Sequence, residues 1–554
     1  MTSTVIDAGD DLSLTIPALI CEHAEQRGEQ ILLATDRTHL TYAAANTRSQ
    51  RLARGLLAAG VQKGSHVGLL LPNDEDFIVF ALAVARIGAV ILPFSTLSTA
   101  DEINGLLTRS DTSFLIVANE FRGRDFSSLL STAFPSIDFS QQPTQSSAAP
   151  WLRRMWFTDN APAGWPLDSS VSALEQSADS ISDTQLNAVE QRVKPSDHFV
   201  IIHTSGSTSE PKGVIHTHGA LIRHLNNINE IRSLNSEDKL FSVSPWFWIA
   251  GFGFALMGVL VAGATLVTSN SREAGVVLDL IEQERPTMTN GYAPTVAWLT
   301  ADPSFKLRDF SWLRRGNLYP LMAPDACPSD PTLRHDLYGM SETGSGLTMS
   351  ADESDLPETL RGSCGKFLPG YEAKIVDTGT GNTCKTGDIG ELWIRGPFLM
   401  AGYYGKSRKE VFEPDGWWRT SDAGTINSDG LFFLKGRLGN MIKTAGANVA
   451  PREVEAAMSN LTGGKLCVVL GIPDLDRGQS VIAIVVAESA ADVDEQQLRQ
   501  QLAEKLSSYK VPRRILQFSQ EELPTLSSGK LDLQTLAIVV EQHLATPAAP
   551  VTKS

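Results

Sequence analysis

The sequence predicts an α/β protein in two parts: a large N-terminal domain of parallel α/β subdomains with a β-rich subdomain, then a small α+β C-terminal domain. Three observations predict it. Apolar runs of strand length alternate with segments of helical periodicity over residues 14–120 and again from Phe199 to about Asn317, the pattern of parallel sheet covered by helices. From Gly365 to Leu434 the pattern turns to strands and tight turns, as in YEAKIVD, GELWIRG and DGLFFLKG. Beyond Gly436 come PREVEAAMSN, KLCVVLGIPD, QSVIAIVVAES, DEQQLRQQLAEKLSS and RRILQF, helix and strand pieces of a compact α+β unit. A chain of 554 residues is too long for one ordinary core, which agrees with this division.

Within the first stretch, LTIPALICEHAEQ and YAAANTRSQRLARGLLAAG carry apolar residues at helical spacing, whereas HVGLLLP, GAVILPF and SFLIVAN are short apolar runs bounded by turn residues. Arg86, inside FALAVARIGAVIL, argues against a membrane span there. Residues 121–195 are rich in Ser, Gln, Pro and Asp and read as surface segments. From Trp246 to Val267 the chain carries no charge over a length that would cross a bilayer. Gly251, Gly253, Gly258 and Gly263 interrupt that stretch, and GATLVTSN ends like a strand entering a turn, so a buried helix followed by a buried strand is expected. The segment from Pro320 to Pro331 holds too much proline for a regular helix interior. No internal repeat is visible.

The composition bounds the partners. With 42% hydrophobic and 20% charged residues the chain reads as a soluble globular protein. A net charge of -16 gives no reason to propose nucleic acid or an anionic membrane, so an anionic ligand must be held by a local site. The five cysteines are scattered without metal-ligand spacing and their number is odd, which suits a reducing compartment. The N-terminus lacks a basic region followed by an apolar one, and the C-terminal TKS is not a peroxisomal tripeptide, so a cytoplasmic location is expected.

The stretch that carries chemistry runs from His203 to Gly213, HTSGSTSEPKG. Thr204, Ser205, Ser207, Thr208 and Ser209 supply hydroxyls, Gly206 and Gly213 let backbone amides come close, and Lys212 supplies charge, the makings of a phosphate cradle at a strand end. It is not a Walker loop, because Lys212 precedes Gly213 and Val214 rather than a Gly-Lys-Ser/Thr ending. A second constellation, YGMSET, follows from Tyr338 to Thr343. There Tyr338 can stack on a purine, Gly339 gives flexibility, Ser341 can donate to a phosphate and Glu342 can hold a hard divalent cation.

These segments resemble the signature motifs of the acyl-adenylate-forming (AMP-binding) superfamily, which includes acyl-CoA synthetases, luciferases and peptide-synthetase adenylation domains. The resemblance extends to WRTSD, to GRLGNMIKTAGANVAPREVE and to PTLSSGKLD near the C-terminus. It implies a large adenylation domain over residues 1–436, a hinge at 437–439 and a small mobile domain over 440–554. It implies ATP, Mg²⁺ and CoA as the small molecules bound, with Asp422 and Arg437 on the ribose and Lys530 on the acyl carboxylate and α-phosphate. Lys443 to Gly446 would serve the thiol step, with Gly446 beside the pantetheine arm.

Trp246, Phe247, Trp248, Phe252, Gly291 and Tyr292 fall in regions that line the acyl pocket of relatives, implying an apolar monocarboxylic acid. The implied activity is ATP-dependent formation of acyl-AMP followed by transfer to CoA, an acid:CoA ligase. A carrier-protein thiol is the alternative acceptor, and a catalytically silent nucleotide-binding relative the other alternative. A homodimer is compatible with the sequence. Four departures from the family pattern stand out: Ser421 replaces Gly, Gly439 replaces Asp or Lys at the hinge, Trp248 replaces His, and the segment before Tyr338 is short.

Overall fold

The computed structural model describes residues 14–141, 147–204, 211–444, 447–474, 478–487, 493–506, 510–526 and 530–545. The chain forms two compact units: Met1–Glu372 with Arg395–Trp418, and Ala373–Ile394 with Arg419–Ser554.

In the first unit the apolar runs become the parallel centre of a seven-stranded sheet. Its order is Gly402–Tyr403, Lys212–Thr217, His198–Thr204, Val90–Pro93, His66–Leu70, Phe114–Val117, Arg154–Phe157. His66–Leu70 pairs in parallel with Val90–Pro93 and Phe114–Val117, and Val90–Pro93 in parallel with His198–Thr204. Both faces of these strands are covered, which is why they read as continuous apolar runs. Lys212–Thr217 and Gly402–Tyr403 then add antiparallel at the edge.

The second sheet of this unit has six strands, ordered Arg315–Gly316, Met288–Asn290, Lys239–Ser242, Thr265–Val267, Ile31–Ala34, His39–Thr41. The helices expected near the N-terminus are Ile16–Arg27 and Tyr42–Ala58, each started by a threonine side chain that accepts a first-turn N–H, Thr15 and Thr41. Arg86 is fully buried, yet donates to Glu190 at 2.6 Å and to Ser49 at 3.0 Å, so its charge is compensated inside the core.

The uncharged stretch folds as helical turns over Ala250–Met257 and Gly258–Ala262, ends at Gly263, and continues as the strand Thr265–Val267. Among the described residues no helix is long and apolar enough to cross a membrane. One of its glycines is there for close approach: a Cβ on Gly253 would stand 2.5 Å from the carbonyl oxygen of Gly344.

One expectation needs correction. Residues 121–195 are not all surface: the strand Arg154–Phe157 closes the edge of the seven-stranded sheet, and Trp156, Phe157 and Phe126 are buried. Each element there is short, so the polar residues of its flanks mask the apolar period.

The second unit holds a four-stranded sheet, Glu372–Val376, Gly390–Arg395, Trp418–Ile426, Phe432–Arg437. It also holds a five-stranded one in which Cys467–Asp474 and Gly478–Val486 pair antiparallel and Arg514–Phe518 lies parallel to the latter. The helices Pro451–Leu461 and Glu495–Lys505 contribute Val454, Met458, Leu498 and Leu502 to the core on one face; Leu533–Ala545 contributes Leu536 and Val540 to the core on the other. Residues 437–439 stand at the end of the strand Phe432–Arg437 and in the short turn Leu438–Asn440.

Candidate active site

The first unit presents a site at the edge of its seven-stranded sheet. In the hairpin formed by His198–Thr204 and Lys212–Thr217, Lys212 stands opposite Thr204 and Gly213 opposite His203. Ser205, Gly206, Ser207, Thr208 and Ser209 lie outside the described residues. Gly213 is required by packing, since a Cβ there would come within 2.8 Å of Ile201 Cγ2 and 3.2 Å of Tyr404 Cβ. Burial, with Arg109 and His66 nearby, pushes the His203 ring down to about 4, so the residue entering the cradle is neutral at physiological pH.

Tyr338–Met340 is a strand and Ser341–Thr343 a single turn ended by Gly344 at φ 74°. The buried Thr343 hydroxyl accepts from the Met340 N–H at 3.2 Å and donates to the Ser345 carbonyl at 2.7 Å, fixing the turn from inside. Two contacts tie this turn to the cradle strand and its neighbour. His216, held neutral by burial with a value near 4, donates from Nε2 to the Ser341 carbonyl at 2.7 Å. The Met400 N–H donates to the Glu342 carbonyl at 2.9 Å, while Ala401 and Tyr404 donate backbone N–H groups to Ile215 and Gly213 at 2.8 Å each. A segment about 60 residues downstream of YGMSET thus bonds to both motifs at once.

The charged groups meet at Tyr403. Its hydroxyl donates to Glu342 Oε1 at 2.8 Å, and Lys212 Nζ stands 5.4 Å from the centroid of its ring. Lys212 and Glu342 form no ion pair with each other among the described residues, so neither charge is neutralised by the other. Tyr338 is buried, and Ser341 and Glu342 are half-buried. Among the described residues no cluster of three or more His, Cys, Asp or Glu side chains could hold a metal ion, so a cation here would rest on Glu342 and on ligand oxygens.

The aromatic residues expected at the acyl pocket separate into two environments. Trp246 and Phe252 are fully buried, both edge-on to Phe77 at 5.3 and 6.4 Å between centroids. Phe247 instead lines a cavity of about 150 Å³ together with Pro245, Val243, Trp298, Leu97 and Arg122. The Trp248 ring stands 5.3 Å from that of Phe247. Gly291 is locked by a reciprocal pair, its N–H donating to Asn317 at 3.0 Å and its carbonyl accepting from Asn317 at 2.8 Å, while the neighbouring Tyr292 is 49% exposed.

In the second unit, Asp422 and Arg437 occupy facing positions of the strands Trp418–Ile426 and Phe432–Arg437, and Arg437 Nε donates to Asp422 Oδ1 at 2.8 Å. Asp422 is buried and its N–H bonds to the Thr420 hydroxyl at 3.0 Å, which itself donates to the Leu392 carbonyl at 2.8 Å. Ser421 adopts φ 62°, the left-handed conformation that glycine takes at no cost. Glu391 holds it there. This buried carboxylate accepts from the Ser421 N–H at 3.1 Å and from the Trp393 indole at 2.8 Å.

Lys443 stands in the strand Ile442–Thr444 opposite Asn448, and Gly446 lies outside the described residues. Lys530 is exposed; its carbonyl accepts from Leu526 at 2.7 Å beside the bridge between Thr525 and Leu531. Around Gly439 there is open space: a Cβ placed there would meet nothing within 4 Å.

Sequence reasoning missed Tyr403, His216 and Glu391. The first two act across 61 and 125 residues of chain, and only the tyrosine pair in AGYYG, next to a strand-like run, hinted at either. Glu391 sits in GELWIRG, where a charged residue on the buried face of a strand was the available signal.

The chain matches known proteins over most of its length. The family described as AMP-binding enzyme matches residues 20–404, and the AMP-binding enzyme C-terminal domain matches residues 453–530. A feruloyl-CoA synthase from Amycolatopsis sp is 30% identical over 505 residues, covering 89% of this chain and 92% of the relative. The mitochondrial medium-chain acyl-CoA ligase ACSF2 of Rattus norvegicus is 26% identical over 530 residues, covering 93% and 85%. The solved structure of the anthranilate CoA ligase AuaEII in complex with anthranoyl-AMP superposes with a TM-score of 0.78 at 22% identity, over 96% of this chain and 98% of that one.

Proposed function

The chain belongs to the AMP-binding enzyme family, and we propose that it is an acid:CoA ligase that activates an apolar monocarboxylic acid with ATP and passes the acyl group to CoA. In the first step a carboxylate oxygen attacks the α-phosphorus of ATP, the bond from that phosphorus to the bridging oxygen breaks, and pyrophosphate leaves. In the second the CoA sulfur attacks the acyl carbon, the acyl–oxygen bond breaks, AMP leaves and the thiol proton goes to solvent. No protein nucleophile is required, because the acid is ionised at neutral pH. What the protein must do is bring two anions together and stabilise the charge that develops between them.

The observation that carries this reading is the pair Lys212 and Glu342, opposite charges that share Tyr403 and do not pair with each other. Lys212 and the hydroxyls of Thr204, Ser205, Ser207 and Thr208 take the β- and γ-phosphates, and Ser341 donates to the α-phosphate. Glu342 has a carboxylate oxygen to offer a divalent cation, and a single carboxylate suits Mg²⁺, which keeps waters and substrate phosphates as its other ligands. When bound, that ion offsets phosphate charge. Tyr338 and Gly339 border the purine, and the aligned Asp422 and Arg437 take the ribose hydroxyls.

Lys530 serves the adenylation step. We place the hinge at 437–439, so that residues 440–554 turn as a body, withdraw Lys530 and bring Lys443 to Gly446 to the thiol. Gly439, with open space around it, permits that rotation. Phe247, which lines the cavity of about 150 Å³, and Trp248, whose ring packs against it, supply apolar surface for the acid. The scattered cysteines support a cytoplasmic location.

Acid-dependent exchange of labelled pyrophosphate into ATP, over a panel of aliphatic and aryl acids, tests the reading. Exchange followed by thioester formation on adding CoA is expected. Exchange without thioester would point to a carrier-protein acceptor, and no exchange with any acid to a silent nucleotide-binding relative.

A further inference from the structure

We infer that Tyr403 is a positioning residue for the metal-binding carboxylate: its hydroxyl holds one oxygen of Glu342 and leaves the other for a divalent cation, while its ring holds Lys212 beside that carboxylate without an ion pair. The inference rests on the ligase reading above and assigns a role to a residue outside the five segments that carry the resemblance in the sequence.

The placement of Tyr403 argues for it. The two-residue strand Gly402–Tyr403 pairs with Val214 and Ile215 of the cradle strand, and backbone bonds from Met400, Ala401 and Tyr404 fasten its flanks to Glu342, Ile215 and Gly213. The phenol therefore projects from a backbone welded to both motifs it serves. Its side chain is buried and Glu342 is half-buried, so the hydroxyl bond of 2.8 Å to Glu342 Oε1 is partly shielded from bulk water.

The second oxygen of Glu342 accepts no hydrogen bond among the described residues, and Lys212 Nζ lies over the ring face at 5.4 Å. A carboxylate fixed at one oxygen and open at the other is oriented as a ligand before the ion arrives, which is how an outer partner raises metal affinity. Without the phenol, Lys212 and Glu342 would be free to neutralise each other.

The neighbouring residue supplies the control. Tyr404 has a hydroxyl bonded to a carboxylate as well, Asp111 Oδ2 at 2.5 Å, on the same segment but away from Glu342. Manganese binding to the full-length protein in complex with α,β-methylene-ATP is followed by electron paramagnetic resonance. Tyr403→Phe, which keeps the ring, is expected to raise the Mn²⁺ dissociation constant about tenfold, the low end for losing such a partner. Tyr404→Phe should change it less than about twofold.

In a Glu342→Gln background Tyr403→Phe should add no further loss, because the hydroxyl acts through the carboxylate. Wild-type Mn²⁺ affinity in Tyr403→Phe, equal losses in the two phenylalanine variants, or a further loss in the glutamine background would each overturn the inference while leaving the ligase reading intact. Failure of the wild-type complex to bind Mn²⁺, together with no pyrophosphate exchange, would overturn both.

Discussion

Acidification should destabilise the first unit through four histidines of the cradle hairpin and the helix His218–Ile231 that follows it. Burial pushes His203, His216, His218 and His224 from an ordinary 6.5 down to about 4, 4, 3 and 3. Their native pKa is lowered, so between the native and unfolded values the unfolded chain binds more protons than the native one. Stability therefore rises with pH across that window and is lost as pH falls below about 6.5.

At pH 5 none of the four native values has been reached, so the loss is set by the unfolded value alone: about 1.5 pH units, or about 2 kcal/mol for each ring. Four rings give a loss of about 8 kcal/mol; Asp74, pushed up by burial to about 7, takes up a proton in the native state and returns about 3, so the net loss is about 5 kcal/mol, comparable with the whole stability of a typical domain. Urea unfolding followed by tryptophan fluorescence at pH 7.5 and 5.0 measures it. His218→Gln, which cannot titrate, should recover about 2 kcal/mol of the acid loss. Equal unfolding free energies at the two pH values would refute the reasoning, as would a His218→Gln variant no less acid-sensitive than the wild type.

Three further outcomes follow from the site. Lys530→Ala should lower pyrophosphate exchange at least about a hundredfold, the usual cost of one transition-state donor, yet spare thioester formation from supplied acyl-AMP; equal loss of both steps would contradict the alternation of the small domain. Gly439→Pro, whose Cβ meets nothing within 4 Å and whose ring fixes one backbone dihedral, should do the reverse, sparing exchange and blocking the thiol step, as rapid-quench sampling of each step will read. Glu391→Ala frees the left-handed Ser421 and strips a bond from the Trp393 indole, and should cost about 2 kcal/mol in thermal denaturation; a change below about 0.5 kcal/mol would show that Glu391 does not brace the Asp422 turn.

What could be read in the sequence, and what could not, divides by the range of the interactions. HVGLL, VILP and FLIV announced a parallel sheet because strands covered on both faces are apolar throughout, a property of the segment alone. The small unit was legible for the same reason, with Val454, Met458, Leu498 and Leu502 at helical spacing. The uncharged stretch gave its helix and strand, and its glycines signalled close packing, but Gly344 as the partner of Gly253 needed the tertiary fold.

Motif residues on the cradle and on YGMSET were nameable from their chemistry, whereas Tyr403 and His216 owe their importance to what lies across the sheet from them. Trp246 and Phe247 show the limit most plainly: adjacent in sequence and alike in composition, one enters the core and the other lines a cavity. The two-residue strand Gly402–Tyr403 is too short for any periodicity, and it carries the contact that links the charged groups.

The central claim, that the acid attacks the α-phosphorus of ATP before the thiol takes the acyl group, is tested most directly by following oxygen. A substrate acid labelled with ¹⁸O in both carboxylate positions is turned over once with ATP and CoA, and the nucleotide product is weighed by mass spectrometry. AMP carrying one ¹⁸O is expected, because the attacking oxygen stays on phosphorus when the acyl–oxygen bond breaks. Label in inorganic phosphate or pyrophosphate, or AMP without label, would contradict it.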